Sequence, residues 1–248
     1  MATCLEIYTL TCNLFSHGRY YSTMIGKMKI IGHRGAAGLA LENTLESIKE
    51  GLNSGADFIE FDIRQTHNGK IVLCHDADLL RTYGVDLKIK SSTLEELQEQ
   101  CPKLPTLDDA LRLLTGKGVI IELKEYIDPK KIFSIISKYS DIDIRFASFD
   151  HRAIRAIKNY NQESFCYVLE HHSPFEILNI ASKMNASGVG LHYGIMNPAT
   201  FLLAKYKKLE IYTYTLNKSW IAQLFKFVYR DVAVCTDYPN KLRHLKTK

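Results

Sequence analysis

Ile30-Ile31-Gly32-His33-Arg34-Gly35, Phe58-Ile59-Glu60-Phe61-Asp62 and Ile71-Val72-Leu73-Cys74-His75-Asp76 place two imidazoles and two carboxylates within, or at the ends of, three short apolar runs. Such runs read as buried strands, and a packed strand carries ionisable groups only where they are paired or bound to a metal. Glu60 and Asp62 are two positions apart, so on a strand both point to one face and Phe61 to the other. Asn68-Gly69 is a strong hairpin signal between the second and third runs. A two-residue turn centred there pairs residues whose numbers sum to 137, which sets Asp62 opposite His75.

Downstream, strand-like and helix-like stretches alternate. Strands are expected over 119–124, 142–149, 165–169, 188–192, 210–216 and 231–235, with helices in the intervals between them. Asn43 with Glu46, Thr106, Asp150, Pro174 and Pro198 mark helix starts. Strand–helix units of this length imply parallel strands joined by right-handed crossovers. The expected fold is α/β, a (β/α)8 TIM barrel in which the hairpin supplies one irregular strand. An open doubly wound sheet would show a Gly-rich phosphate turn after its first strand, and Gly32-His33-Arg34-Gly35 does not match it. In a barrel, catalytic groups gather at the carboxyl ends of the strands, where His33, Glu60, Asp62, Glu122, Lys124, His192 and Asp237 all fall.

The chain of 248 residues divides, on this reading, into an N-terminal extension over 1–28 and a single barrel domain over 29–248. The pattern loosens at about 77–104, a small insertion after the strand carrying His75, with one helix started by Ser92 or Thr93. Net charge is a mild +5 with no dense Lys/Arg run, which suits an anionic substrate and excludes nucleic acid as the expected partner. No apolar stretch is long enough for stable membrane insertion, and six scattered cysteines without metal-like spacing point to a reducing, cytoplasmic setting. Nothing in the composition sets the oligomeric state.

Glu60, Asp62 and Glu122 form a hard-oxygen set suited to one divalent cation, Mg²⁺ or Ca²⁺, rather than zinc. His33 and His75 suit general acid–base work on either side of a phosphoryl group. Arg34 offers a planar fork for phosphate oxygens and Lys124 a point charge. Together these groups fit cleavage of a phosphodiester. His171-His172 read as loop surface, His192 either faces the pocket or packs, and Trp220 reads as a packing residue on the outer ring.

The same residues resemble the glycerophosphodiester phosphodiesterase family over about 29–239. The likeness rests on His33-Arg34-Gly35-Ala36, Glu42-Asn43-Thr44, Glu60-Phe61-Asp62, His75-Asp76, Arg81-Thr82 and Pro105-Thr106-Leu107. It continues through Glu122-Leu123-Lys124, Ser148-Phe149 and Thr236-Asp237-Tyr238-Pro239. The resemblance implies a divalent metal at Glu60, Asp62 and Glu122, His33 and His75 as acid and base, and a small glycerophosphodiester as substrate. Arg34 and Lys124 are expected to contact phosphate; Glu42 and Asn43 are expected either to contact substrate or to support the residues that do. Products would be sn-glycerol 3-phosphate and an alcohol; in one family mechanism the glycerol 2-hydroxyl attacks phosphorus and a cyclic phosphate is then hydrolysed. Leu41 stands where the family usually has proline, and Tyr214 where a tryptophan is common. Two other readings compete: a phospholipase D-like enzyme acting on lysophospholipids or sphingomyelin, and a catalytically inactive barrel that only binds a phosphodiester.

Overall fold

A computed structural model describes residues 28–246. Among them lie nine strands and ten α-helices. In chain order these are β1 Ile30–Gly32, α1 Leu45–Asn53, β2 Phe58–Gln65, β3 Ile71–Leu73, α2 Leu80–Tyr83, α3 Leu94–Gln100 and α4 Leu107–Arg112. There follow β4 Gly118–Leu123, α5 Pro129–Ile136, β5 Asp143–Ser148, α6 His151–Tyr160, β6 Phe165–Glu170, α7 Glu176–Lys183 and β7 Gly188–His192. The chain ends with α8 Pro198–Tyr206, β8 Glu210–Tyr214, α9 Ser219–Val228, β9 Ala233–Thr236 and α10 Pro239–Leu242. The expected extension over 1–28 lies outside the described residues except for Met28, which is buried in the core.

Eight of the strands pair in parallel, β1-β2-β4-β5-β6-β7-β8-β9, and β9 returns to β1, closing a (β/α)8 barrel. β3 pairs antiparallel with the second half of β2, beyond the point where the three-residue β1 ends. The period-two alternation of the strands decides what goes where. Ile59, Phe61, Ile63, Val119, Ile121 and Leu123 face outward and pack with helix residues such as Ile48, Leu107 and Ile132 in one apolar layer. Ile31, Ile120, Ala147, Tyr167, Leu169, Tyr212 and Cys235 fill the inside. Gly190 is required there, because a Cβ would stand 2.5 Å from Leu169 and 2.7 Å from the Tyr212 ring. Arg145 plugs the amino end of the barrel between the Phe58 and Phe165 rings, hydrogen bonded to Tyr167, Glu210 and Asp143.

Three local expectations are corrected. The hairpin pairs Ile63 with Leu73 and Gln65 with Ile71, so numbers sum to 136 and Asp62 faces Cys74 rather than His75. The turn is one residue longer than a two-residue loop: Thr66 pairs with Lys70, and Gly69, at φ +79°, takes the left-handed position that closes His67-Asn68-Gly69. Helix α1 is capped by Thr44 with Ser47 as its reciprocal partner, not by Asn43 with Glu46. Pro174 precedes α7 instead of lying in its first turn. The segment after β3 carries α2, a 3-10 turn at Ile89–Ser91 and α3, and it has an apolar cluster of its own built on Leu79, Ile89, Leu97, Cys101 and Leu104. No helix among the described residues is long and apolar enough to cross a membrane.

Candidate active site

The alternation that buries Phe61 and Ile121 outward turns Glu60, Asp62 and Glu122 into the barrel. Asp62 and Glu122 are direct neighbours in the β2–β4 ladder. Potential ligand oxygens of the three carboxylates lie within 4.8 Å of one another, and all three side chains are buried. The chain reverses after β1 through Arg34 (φ +49°) and Gly35 (φ +87°), which brings the Arg34 and Gly35 N–H groups onto Glu60. Only glycine fits at position 35, since a Cβ would meet Ser47 at 2.4 Å. One Glu60 oxygen accepts the Arg34 N–H at 2.8 Å; the other, Oε1, is buried without a hydrogen-bond partner.

Three buried acids cannot all ionise side by side without a cation. Burial, with the charges of Asp62 and Glu122, pushes Glu60 up to about 8. Burial and the Asp62 charge raise Glu122 in spite of Lys124. Burial opposes ionisation of Asp62 too, but Lys124 and Arg34 outweigh it and hold that carboxyl below its ordinary range. Lys124 Nζ lies 2.6 Å from Glu122 and 3.6 Å from Asp62, and Arg34 Nε 3.4 Å from Asp62. The orphaned Glu60 oxygen, the hard-oxygen donors and the raised acids fit a divalent cation.

Each imidazole is held by an aspartate. His33 Nδ1 lies 2.6 Å from Asp237, which is itself fixed by the Asn217 amide at 2.6 Å. His75 Nδ1 lies 2.6 Å from Asp76, which pairs with Arg81 on α2. With Nδ1 engaged in both rings, Nε2 is the nitrogen left for the cavity. Burial disfavours the imidazolium of His33, yet the Asp237 hydrogen bond and the Glu60 charge prevail and raise its pKa. At His75 burial prevails over Asp62 and Asp76, and the pKa falls. The two environments thus shift the two imidazoles in opposite directions.

His33, Arg34, Glu60, His75, Glu122 and Lys124 all line a cavity of about 650 Å³ at the carboxyl end of the barrel. Asn43 and Glu42 bond to other residues of the site. Asn43 is buried, donating to Asp62 Oδ2 at 2.9 Å and accepting the Asp62 N–H at 3.1 Å. Glu42 bridges Arg34 (2.8 Å) and Arg81 (2.6 Å). The opposite wall of the cavity, from β5 to β8, carries Phe149, His171, His192, Tyr193, Tyr212 and Tyr214. His171 is an exposed residue just after β6, as expected of loop surface, and it also belongs to this wall, stacked on Phe149 at 4.3 Å and edge-on to Tyr214. Sequence reasoning also missed the tasks of Asp76, Arg81 and Asn217; Asp76 adjoining His75 was the one available signal.

The model of the Glycerophosphoryl diester phosphodiesterase family matches residues 33–241. The uncharacterized protein YqiK of Bacillus subtilis is 30% identical over 148 residues, and that match spans 54% of this chain and 54% of YqiK. A glycerophosphodiester phosphodiesterase of Caldanaerobacter subterraneus is 25% identical over 90% of this chain and 99% of its own length. Among solved structures, an Oleispira antarctica phosphodiesterase in complex with the product sn-glycerol-3-phosphate superposes with a TM-score of 0.81 at 25% identity. That match covers 88% of this chain and 96% of the Oleispira chain. With the barrel, the acid cluster and the two aspartate-held histidines in place, these matches establish that the chain belongs to the glycerophosphoryl diester phosphodiesterase family.

Proposed function

We propose that this protein hydrolyses small glycerophosphodiesters to sn-glycerol 3-phosphate and an alcohol, with His75 as general base and His33 as general acid. The carrying observation is the pair of aspartate-held imidazoles, opposite in pKa direction, on one cavity with the three carboxylates. His75, whose imidazolium is disfavoured by burial, accepts through Nε2 the proton of the attacking oxygen, either water or the glycerol 2-hydroxyl, and in the second case water then opens the cyclic phosphate. His33, whose imidazolium is favoured by Asp237 and Glu60, is the one of the pair suited to hold a proton and deliver it to the departing alkoxide. Asp237 and Asp76 set the ring orientations and tautomers. Arg34 and Lys124 face the same cavity and stabilise the charge that builds on the phosphoryl oxygens.

Glu60, Asp62 and Glu122 would hold the divalent cation, and Mg²⁺ and Ca²⁺ both suit these ligands. When bound, such an ion supplies Lewis-acid polarisation of a phosphoryl oxygen. Asn43 and Glu42 act through others, Asn43 on Asp62 and Glu42 on Arg34. The four free, buried cysteines of the described chain fit a reducing compartment such as the cytosol.

A phospholipase D-like reading, with a lysophospholipid or sphingomyelin as substrate, draws support from the aromatic wall between Phe149 and Tyr214, where an acyl chain would find apolar contact. A barrel that only binds is disfavoured by the aspartate partners kept on both histidines. Phosphorus NMR of glycerophosphocholine incubated with the protein decides among the three. Glycerol 3-phosphate as the new phosphate monoester supports the main reading. Turnover confined to micellar lysophospholipid supports the second, and no turnover of either supports the third.

A further inference from the structure

Among the described residues, helix α9 leaves one face uncovered. Ala222 and Phe225 bury its inner side, but Trp220, Leu224, Phe227 and Val228 recur at helical spacing on the outside, and Phe227 is 83% exposed. Tyr206, at the end of α8, is also exposed. The surrounding charge is one-sided. Residues 205–246 hold nine Lys and Arg against three Asp and Glu, an excess of six, more than the whole chain's net +5. Some of these cations are paired, Lys205 with Asp231 and Lys246 with Asp57, yet the sum stays positive on both flanks of the helix. Trp220 sits in the first turn of α9, a few residues after Tyr214 and Thr215, which line the cavity. The helix therefore starts from the carboxyl end of the barrel, the end that carries the cavity.

We propose that the α9 face docks on an anionic lipid surface, with Trp220, Leu224 and Phe227 entering the interface and the flanking lysines and arginines attracted to acidic headgroups. An aromatic and aliphatic stripe between basic flanks is the pattern of a helix lying in the membrane plane. A second copy of the chain is the poorer occupant, because a two-fold contact would set this positive stretch against itself. Docking by this face needs no membrane-spanning helix, and none is found among the described residues.

Trp220 is the only tryptophan in the chain, so its fluorescence reports this face directly. The test adds vesicles of phosphatidylcholine, with and without phosphatidylglycerol, to the full chain and follows both emission and co-sedimentation. Anionic vesicles should blue-shift the emission and carry the protein down, and added salt should weaken both effects. Phe227→Asp should weaken binding by about tenfold or more, the transfer cost of one aromatic ring, while leaving hydrolysis of a water-soluble diester unchanged. Vesicle binding is read without substrate, so its failure and the failure of the hydrolase reading are separate results. The inference is overturned by a monomer that binds no vesicles, by binding indifferent to Phe227→Asp, or by a solution dimer that Phe227→Asp dissociates.

Discussion

Asn43 grips Asp62 from two sides, its amide nitrogen on the carboxylate and its amide oxygen on the Asp62 N–H, both bonds lying in the buried wall of the barrel. Asn43 has left-handed backbone (φ +56°) and stands just before Thr44, the residue that caps α1. Asn43→Ala removes both bonds and leaves a buried donor and acceptor unpaired, a loss of about 1–3 kcal/mol in unfolding free energy. Divalent-cation affinity should fall about 10- to 100-fold as Asp62 loses its orientation. Chemical denaturation and calorimetric titration measure the two effects separately.

The acid cluster makes metal-free protein sensitive to pH. Glu60, raised to about 8, binds a proton more tightly folded than unfolded, so its contribution is favourable at low pH and is lost as pH rises from about 4.5 through 8. Thermal melts in EDTA should therefore drop across that window. Glu60→Gln, which has no proton to lose, should flatten the drop, and a saturating divalent cation should raise the melting temperature of the native protein at pH 8.

The imidazoles should bracket a pH–rate plateau. Activity rises as His75 deprotonates, below the ordinary histidine value, and declines as His33 deprotonates, above it. Replacing either with Ala should cost about 10²–10⁴ in kcat. Asp237→Asn removes the partner that raises His33, so the alkaline limb should move to lower pH while the acid limb stays in place. An unmoved alkaline limb would assign it to another group.

Arg81 links the inserted segment to the site, bridging Asp76 behind His75 and Glu42 behind Arg34. Half of its side chain is exposed, so Arg81→Ala should change stability by under about 1 kcal/mol. Freed of this brace, His75 and Arg34 should lose orientation, and kcat/KM should fall about tenfold with little change in melting temperature.

The barrel was legible because its evidence is local and repeated: apolar runs, helix caps and their alternation recur along the chain. The carboxylates were legible for a related reason, since Glu60 and Asp62 share a face by parity alone and Glu122 falls on the neighbouring strand. The hairpin register was not, because one residue more in the turn moves the pairing from Asp62–His75 to Asp62–Cys74 without altering the Asn68-Gly69 signal. His75 reaches the cavity from just beyond β3 instead. Asp237 was legible as a strand-end residue, but its bond to His33 was not: the two lie 204 residues apart, and only barrel closure brings β9 to β1. Trp220 was misread as packing because helical spacing gives two apolar faces to α9 and does not say which one the barrel covers.

The most direct test of the account is release of glycerol 3-phosphate from glycerophosphocholine by EDTA-treated protein before and after Mg²⁺ or Ca²⁺ is restored, with Glu60→Gln and His75→Ala alongside. The account predicts no release in EDTA, recovery with the cation, and loss in both variants whatever cation is supplied. Full activity in EDTA, or undiminished turnover by His75→Ala, would contradict it.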